Sequence, residues 1–121
     1  MAAKFIVFRE DTWFAPMAEN AMYQHLTEAY GAGFQLIRNW SEAEVPEGWP
    51  VLLLHESGVT DSRNFEHPSN AVYVIGKTSM SLTATVTDHD GVVVIKTPHA
   101  QELWGIQVAA MVLRDREVKG V

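Results

Sequence analysis

Apolar residues are distributed along this chain in short runs separated by amphipathic stretches, and the two periods alternate. Lys4–Arg9 (Lys-Phe-Ile-Val-Phe-Arg) is a nearly continuous β-favouring run, as expected of a strand buried on both faces of a parallel sheet. Ala18, Met22, Leu26 and Ala29 recur at helical spacing, so a helix is predicted over Pro16–Tyr30, with Pro16 in its first turn and Gly31 and Gly33 ending it. Phe34–Ile37 reads as a second strand. Ser41-Glu42-Ala43-Glu44 has the spacing of a capping box, predicting a short helix that Pro46 closes. Val51–Leu54 is a third strand, Asp61–Pro68 a polar turn or loop, and Ala71–Gly76 a fourth strand ended by glycine. Val92–Ile95 is a fifth. Thr97-Pro98 then sets a capping hydroxyl before a first-turn proline, predicting a last helix from there to about Glu117.

Strands and helices in this order predict an α/β fold with a mainly parallel five-stranded sheet flanked by helices, because parallel neighbours need crossover connections. One stretch fits a second pattern: Thr83–Val94 alternates on both sides of Asp90-Gly91 and also reads as an antiparallel hairpin. Nothing in the chain marks a linker or a repeat, so its 121 residues are expected to form one domain. Between Leu103 and Leu113 only Gly105 and Gln107 are not apolar, so the last helix lacks a polar face. A homodimer is the simplest way to cover it.

Composition narrows the chemistry. The chain has no cysteine, which excludes disulfides, thiolate metal sites and thiol nucleophiles and suits a reducing compartment, the cytoplasm by default. No apolar run approaches a signal peptide's core or a membrane span. The formal charge of −6 opposes non-specific attraction to phosphate, so RNA would need a local basic patch, for which Lys77, Lys96, Arg114, Arg116 and Lys119 are the candidates. No phosphate-binding glycine loop, nucleophile elbow or H-E-x-x-H pair is present. Asp88-His89-Asp90 reads as a polar turn rather than a metal site, since adjacent residues seldom converge on one ion, and no metal is expected.

Ligands of open α/β sheets bind beyond the carboxyl ends of the strands. Those positions hold His55-Glu56-Ser57-Gly58, Gly76-Lys77-Thr78-Ser79 and Lys96-Thr97-Pro98. Their small residues let a ligand approach the backbone, and their amides and hydroxyls supply hydrogen bonds. The same glycines also serve as plain turns.

Asn70–Gly76, then Val92–Pro98, then Glu102-Leu103-Trp104-Gly105-Ile106-Gln107-Val108-Ala109-Ala110 resemble the carboxyl half of the SPOUT methyltransferases. The front half is similar too, in its strand, its helix from the Pro16 and Asn20 region, and Gly33–Ile37. The resemblance implies a carboxyl-terminal trefoil knot, S-adenosylmethionine as cofactor, and a small RNA methyltransferase. It implies cofactor contacts from Leu54, His55, Glu56, Ile75, Gly76, Lys77, Ile95, Thr97, Pro98, Leu103 and Trp104. A proton acceptor, where the nucleophile needs one, would come from His25, His55, Glu56 or Glu102. The chain departs from the family in lacking an acidic residue in the loop after the fourth strand and an arginine between Asp11 and Ile37. The alternative is therefore a non-catalytic SPOUT-like or doubly wound dimer that binds a ligand or a protein. A plain interaction dimer, with Trp13, Trp40, Trp49 and Trp104 in core or interface, is a third.

Overall fold

A computed structural model describes residues 2–10, 15–78, 80–99 and 102–121. Strand β1 (Ala2–Phe8) pairs in parallel with β2 (Gly33–Ile37) on one side and with β5 (Asn70–Ile75) on the other. Strand β3 (Val51–Leu54) lies between β5 and β6 (Gly91–Val94), and β4 (Thr60–Asp61) forms the far edge. The order is β2-β1-β5-β3-β6-β4, and every pairing is parallel. The sheet has six strands and not the expected five, because β4 is only two residues long, too short for any periodicity to reveal.

The central strands are apolar on both faces because both faces are covered. Phe5 and Val7 of β1, Leu52 and Leu54 of β3 and Tyr73 and Ile75 of β5 point to one side. There they meet Tyr23 of α1 (Ala15–Ala29) and Ala109, Val112 and Leu113 of α3 (Gly105–Val118). Ile6, Phe8, Leu53, Val72 and Val74 point to the other side. Their cover is lighter: Leu82 of the short helix α2 (Leu82–Thr85), Val86, and the partly buried Trp40, Trp49 and Met80. Of the other tryptophans, Trp104 is exposed, and Trp13 lies outside the described residues.

Three local expectations are corrected. The hairpin does not form: Thr83–Thr85 is helical, and β6 runs parallel to β3. Asp90 decides this, since its carboxylate accepts the Val51 N–H at 2.7 Å and its own N–H donates to the Val51 carbonyl at 2.8 Å. Asp90-Gly91 is thereby the entry to a parallel strand beside the start of β3. The capping box falls two residues earlier than expected: Glu42 accepts from the N–H groups of Asn39 (2.6 Å) and Arg38 (2.9 Å), closing a 3-10 turn over Trp40–Glu42. Glu44 instead extends the chain, its N–H donating to the Gln35 side chain at 2.8 Å.

The last helix also begins later than Thr97-Pro98, at Gly105. The Thr97 hydroxyl donates to the His99 carbonyl, and the Gln107 side chain accepts the Trp104 N–H at 2.8 Å where the helix does start. Among the described residues no helix is long and apolar enough to cross a membrane.

Candidate functional site

The carboxyl ends of the parallel strands bring the expected ligand-binding segments to one end of the sheet. Leu54 and Ile75 are the buried last residues of β3 and β5, so they anchor the loops rather than line an open surface. His55 is held in the loop after β3: its N–H donates to the Val93 carbonyl at 3.1 Å, and its Nδ1 accepts from the Ser57 N–H at 3.1 Å beside the Ser57 hydroxyl at 2.7 Å. Gly58 passes so close to β6 that a Cβ there would come within 3.0 Å of the Val92 carbonyl oxygen and the Val94 nitrogen. It is a packing glycine. Gly76 likewise faces Met80 and Leu82, and Lys77 turns the chain by accepting the Met80 N–H at 3.1 Å. Ile95 and Thr97 are half-buried after β6, Pro98 is exposed, Leu103 is half-buried, and Trp104 leaves 76% of its surface exposed.

Two of these segments meet through carboxyl groups. Glu56, after β3, and Glu102, before α3, share a hydrogen bond, and that bond together with the negative charge of Glu56 lifts Glu102 above the usual carboxylate range. His55 beside them opposes the shift slightly. Only the fold brings these two loops together. Of the candidate proton acceptors, Glu56, Glu102 and His55 are therefore neighbours, whereas His25 sits exposed in the second half of α1.

The sequence reading passed over Glu10, Glu19 and Tyr23. Glu10 follows β1, and its Oε1 accepts the Thr78 N–H at 2.8 Å and the Thr78 hydroxyl at 3.2 Å, tying the ends of β1 and β5. The rule applied to the other strands, to look just past the carboxyl end, also selects Glu10. Glu19 is half-buried in α1, and burial together with the charge of Glu10 raises its carboxyl. Tyr23 lies one turn further on, wholly buried and stacked on Phe34 with ring centroids 5.3 Å apart. Gly105 opens α3 directly against it, and a Cβ at that position would fall 2.4 Å from the Tyr23 hydroxyl and 2.8 Å from Ile75 Cγ2.

The expected basic patch does not assemble. Arg116 is buried and donates to the Pro68 and Ser69 carbonyls, both at 2.8 Å, at the amino end of β5. Lys119 donates to the Ser62 and Phe65 carbonyls, and Arg114 pairs with Glu117. Lys77 and Lys96, which follow β5 and β6, lie at the opposite end of the sheet. Two clefts, of about 370 and 340 Å³, open at the amino end as well, one lined by Tyr30, Leu113 and Arg116 and the other by Phe65, His67 and Lys119. The candidate site is built from the loops at the other end of the sheet. At the amino end too, beside the start of β3, Asp90 and His89 of the Asp-His-Asp run are occupied with backbone groups: Asp90 takes the Val51 N–H, and His89 Nδ1 bonds the Val86 carbonyl at 2.7 Å.

No family model and no curated protein matches the sequence. Solved structures do match. A protein from Bacillus anthracis described as a candidate RNA methyltransferase superposes with a TM-score of 0.69 at 12% identity, over 94% of this chain and 91% of that one. A structure concerned with 2-OH methylation of C/U34 on tRNA superposes with a TM-score of 0.71 at 10% identity, over 98% and 90%. At such identities the likeness is one of fold, and over nearly its whole length the chain has the α/β fold of these methyltransferase structures, as the sequence resemblance implied.

Proposed function

We propose that this protein is a SPOUT-type, S-adenosylmethionine-binding RNA methyltransferase, acting as a homodimer in the cytoplasm, with the last helix threaded through a trefoil knot. The observation that carries the reading is the near full-length match to methyltransferase folds, with no large insertion on either side. The residues at the carboxyl end fit the donor. Trp104 offers an exposed flat apolar face for a purine, and Glu56 with Glu102 offers negative charge toward a cationic ligand. His55, Glu56, Gly76, Lys77, Ile95, Thr97, Pro98, Leu103 and Trp104 would hold it between them, on loops anchored by Leu54 and Ile75, with the loop backbone supplying hydrogen bonds. When bound, the donor supplies an electrophilic methyl group; the chain's part is to align a nucleophile with it and to accept a proton where one is released.

The dimer reading rests on α3. Trp104, Met111 and Val118 are spaced seven residues apart and are 76%, 47% and 69% exposed, so one stripe of the helix is apolar and uncovered in a single chain. Exposed Met17 and Met22 extend apolar surface along α1, which packs beside α3. Sedimentation of wild type and Met111→Lys tests this: a dimer that the lysine dissociates supports it, and a monomeric wild type overturns it.

The first experiment on function is the melting temperature with and without S-adenosylmethionine. A ligand at a hundred times its Kd adds about 2.7 kcal/mol, several degrees for a chain of this size. Transfer of a labelled methyl group to bulk tRNA then separates enzyme from binding module. The absence of arginine from α1 and the internal use of Arg116 and Lys119 favour the second reading, a non-catalytic dimer that binds a ligand or a protein. Firm donor binding without methyl incorporation would select it.

A further inference from the structure

Glu10, Glu19 and Tyr23 form a group at the carboxyl end of β1 that nothing above has put to use. Glu10 is fixed by its two hydrogen bonds from Thr78. Glu19 is half-buried one helical turn before Tyr23, and what acts on its carboxyl among the described residues is burial and the like charge of Glu10. The Tyr23 hydroxyl is a fully buried polar atom with no hydrogen-bond partner among the described residues. It abuts Gly105 and Ile75, and the charges of Glu19 and Glu10 both reach it. Burial and those two charges keep it a neutral phenol.

An unpaired buried hydroxyl is costly, and two neighbouring carboxylates repel. The fold keeps both features within reach of the α3 start and the end of β5, where the proposed donor site lies. Oxygen lone pairs and negative charge gathered at one point suit a positive centre. A sulfonium is such a centre: it carries no N–H donors, so oxygen atoms meet it by charge and not by directed hydrogen bonds.

We propose that Glu10, Glu19 and the Tyr23 hydroxyl seat the sulfonium of the methyl donor, so that the charged donor is held more tightly than its neutral thioether product. The inference rests on the methyl-donor reading above. Titration calorimetry on the full chain at neutral pH, with S-adenosylmethionine and S-adenosylhomocysteine as the probes, tests it. The expected result is a preference of about ten-fold for the sulfonium form, slightly more than one ionic contact gives in open water. Glu19→Gln should bring the ratio close to one by weakening the donor while leaving the thioether unchanged, and Tyr23→Phe should act in the same direction with a smaller effect. Equal binding of the two ligands by wild type, tighter binding of the thioether, or equal weakening of both by Glu19→Gln overturns the seat and leaves the donor reading standing. If the folded chain binds neither ligand, the donor reading fails and the seat with it. Circular dichroism establishes that each variant is folded, and Glu10→Gln carries the comparison if Glu19→Gln is not.

Discussion

His67 Nε2 lies 2.6 Å from Asp115 Oδ2, and through that contact the end of α3 is joined to the amino end of the sheet. On the other side of the ring, His67 Nδ1 is 2.6 Å from the Tyr73 hydroxyl, which also accepts from Arg116 at 3.1 Å. One direction satisfies every group. Arg116 donates to Tyr73, Tyr73 donates to Nδ1, and Nε2–H donates to Asp115, which Lys119 also bonds at 2.8 Å. His67 is then neutral. The Asp115 contact has the geometry of an ion pair and favours the charged ring, but burial together with the charges of Lys119 and Arg116 outweighs it and holds the ring below the usual histidine range.

A stability profile against pH checks that assignment. The unfolded chain's His67 takes up its proton near the ordinary value of about 6.5, before the folded one does, so this residue leaves stability unchanged above that pH and lowers it as pH falls below. The melting temperature of wild type should drop from about pH 6.5 downward more steeply than that of His67→Gln. A wild-type stability that instead rises on mild acidification would mean the ring is held as a cation.

Arg116 should be among the least replaceable residues of α3. It is 4% exposed, donates to Pro68, Ser69 and Tyr73, and lies over the Tyr73 ring with its guanidinium carbon 5.9 Å from the centroid. Arg116→Ala leaves two backbone carbonyls and a phenol oxygen without their donor and should cost about 3–5 kcal/mol in urea denaturation. Arg116→Lys should recover little of it, because one ammonium cannot span the positions that the planar fork reaches.

Gly105 and Tyr23 should behave as a coupled pair. Gly105→Ala sets a methyl group 2.4 Å from the Tyr23 hydroxyl and should cost about 1–3 kcal/mol. Tyr23→Phe removes an oxygen that has no partner among the described residues and should be neutral to stabilising. The double variant should regain part of the loss, with Ile75 Cγ2 at 2.8 Å limiting the recovery. A double-mutant cycle with no interaction energy would show that the two do not meet.

The Glu56 and Glu102 pair is accessible to carboxylate titration by NMR. Glu102 should titrate above the usual range in wild type and return toward it in Glu56→Gln, since Glu56 supplies both the hydrogen bond and the charge. A raised folded-state value means that the pair favours the folded chain at acid pH and loses that contribution as pH rises through the Glu102 titration. A Glu102 that titrates identically in both proteins would mean that the loops after β3 and before α3 stand apart.

Much of the architecture was present in the order of residues. The runs at Lys4–Arg9, Phe34–Ile37, Val51–Leu54, Ala71–Gly76 and Val92–Ile95 each became a strand within two residues of the expected bounds, because a strand buried on both faces must be continuously apolar and that is a local property. Alternation with helices then required parallel pairing, and the rule that ligands sit past the carboxyl ends directed attention to the loops at His55, Gly76 and Thr97. What lay beyond sequence were relations between segments far apart in the chain. Asp90 reads as a turn residue until Val51, 39 positions away, donates to it. Arg116 and Lys119 read as members of a basic patch until the carbonyls at 62, 65, 68 and 69 come within reach. Tyr23 reads as one more apolar position on a helix until Gly105 closes on its hydroxyl and Glu10 and Glu19 gather beside it. Periodicity records which face of an element is buried; only packing decides which polar atoms meet there, because hydrogen bonds and charge act over a few ångströms of space and not over positions in a chain.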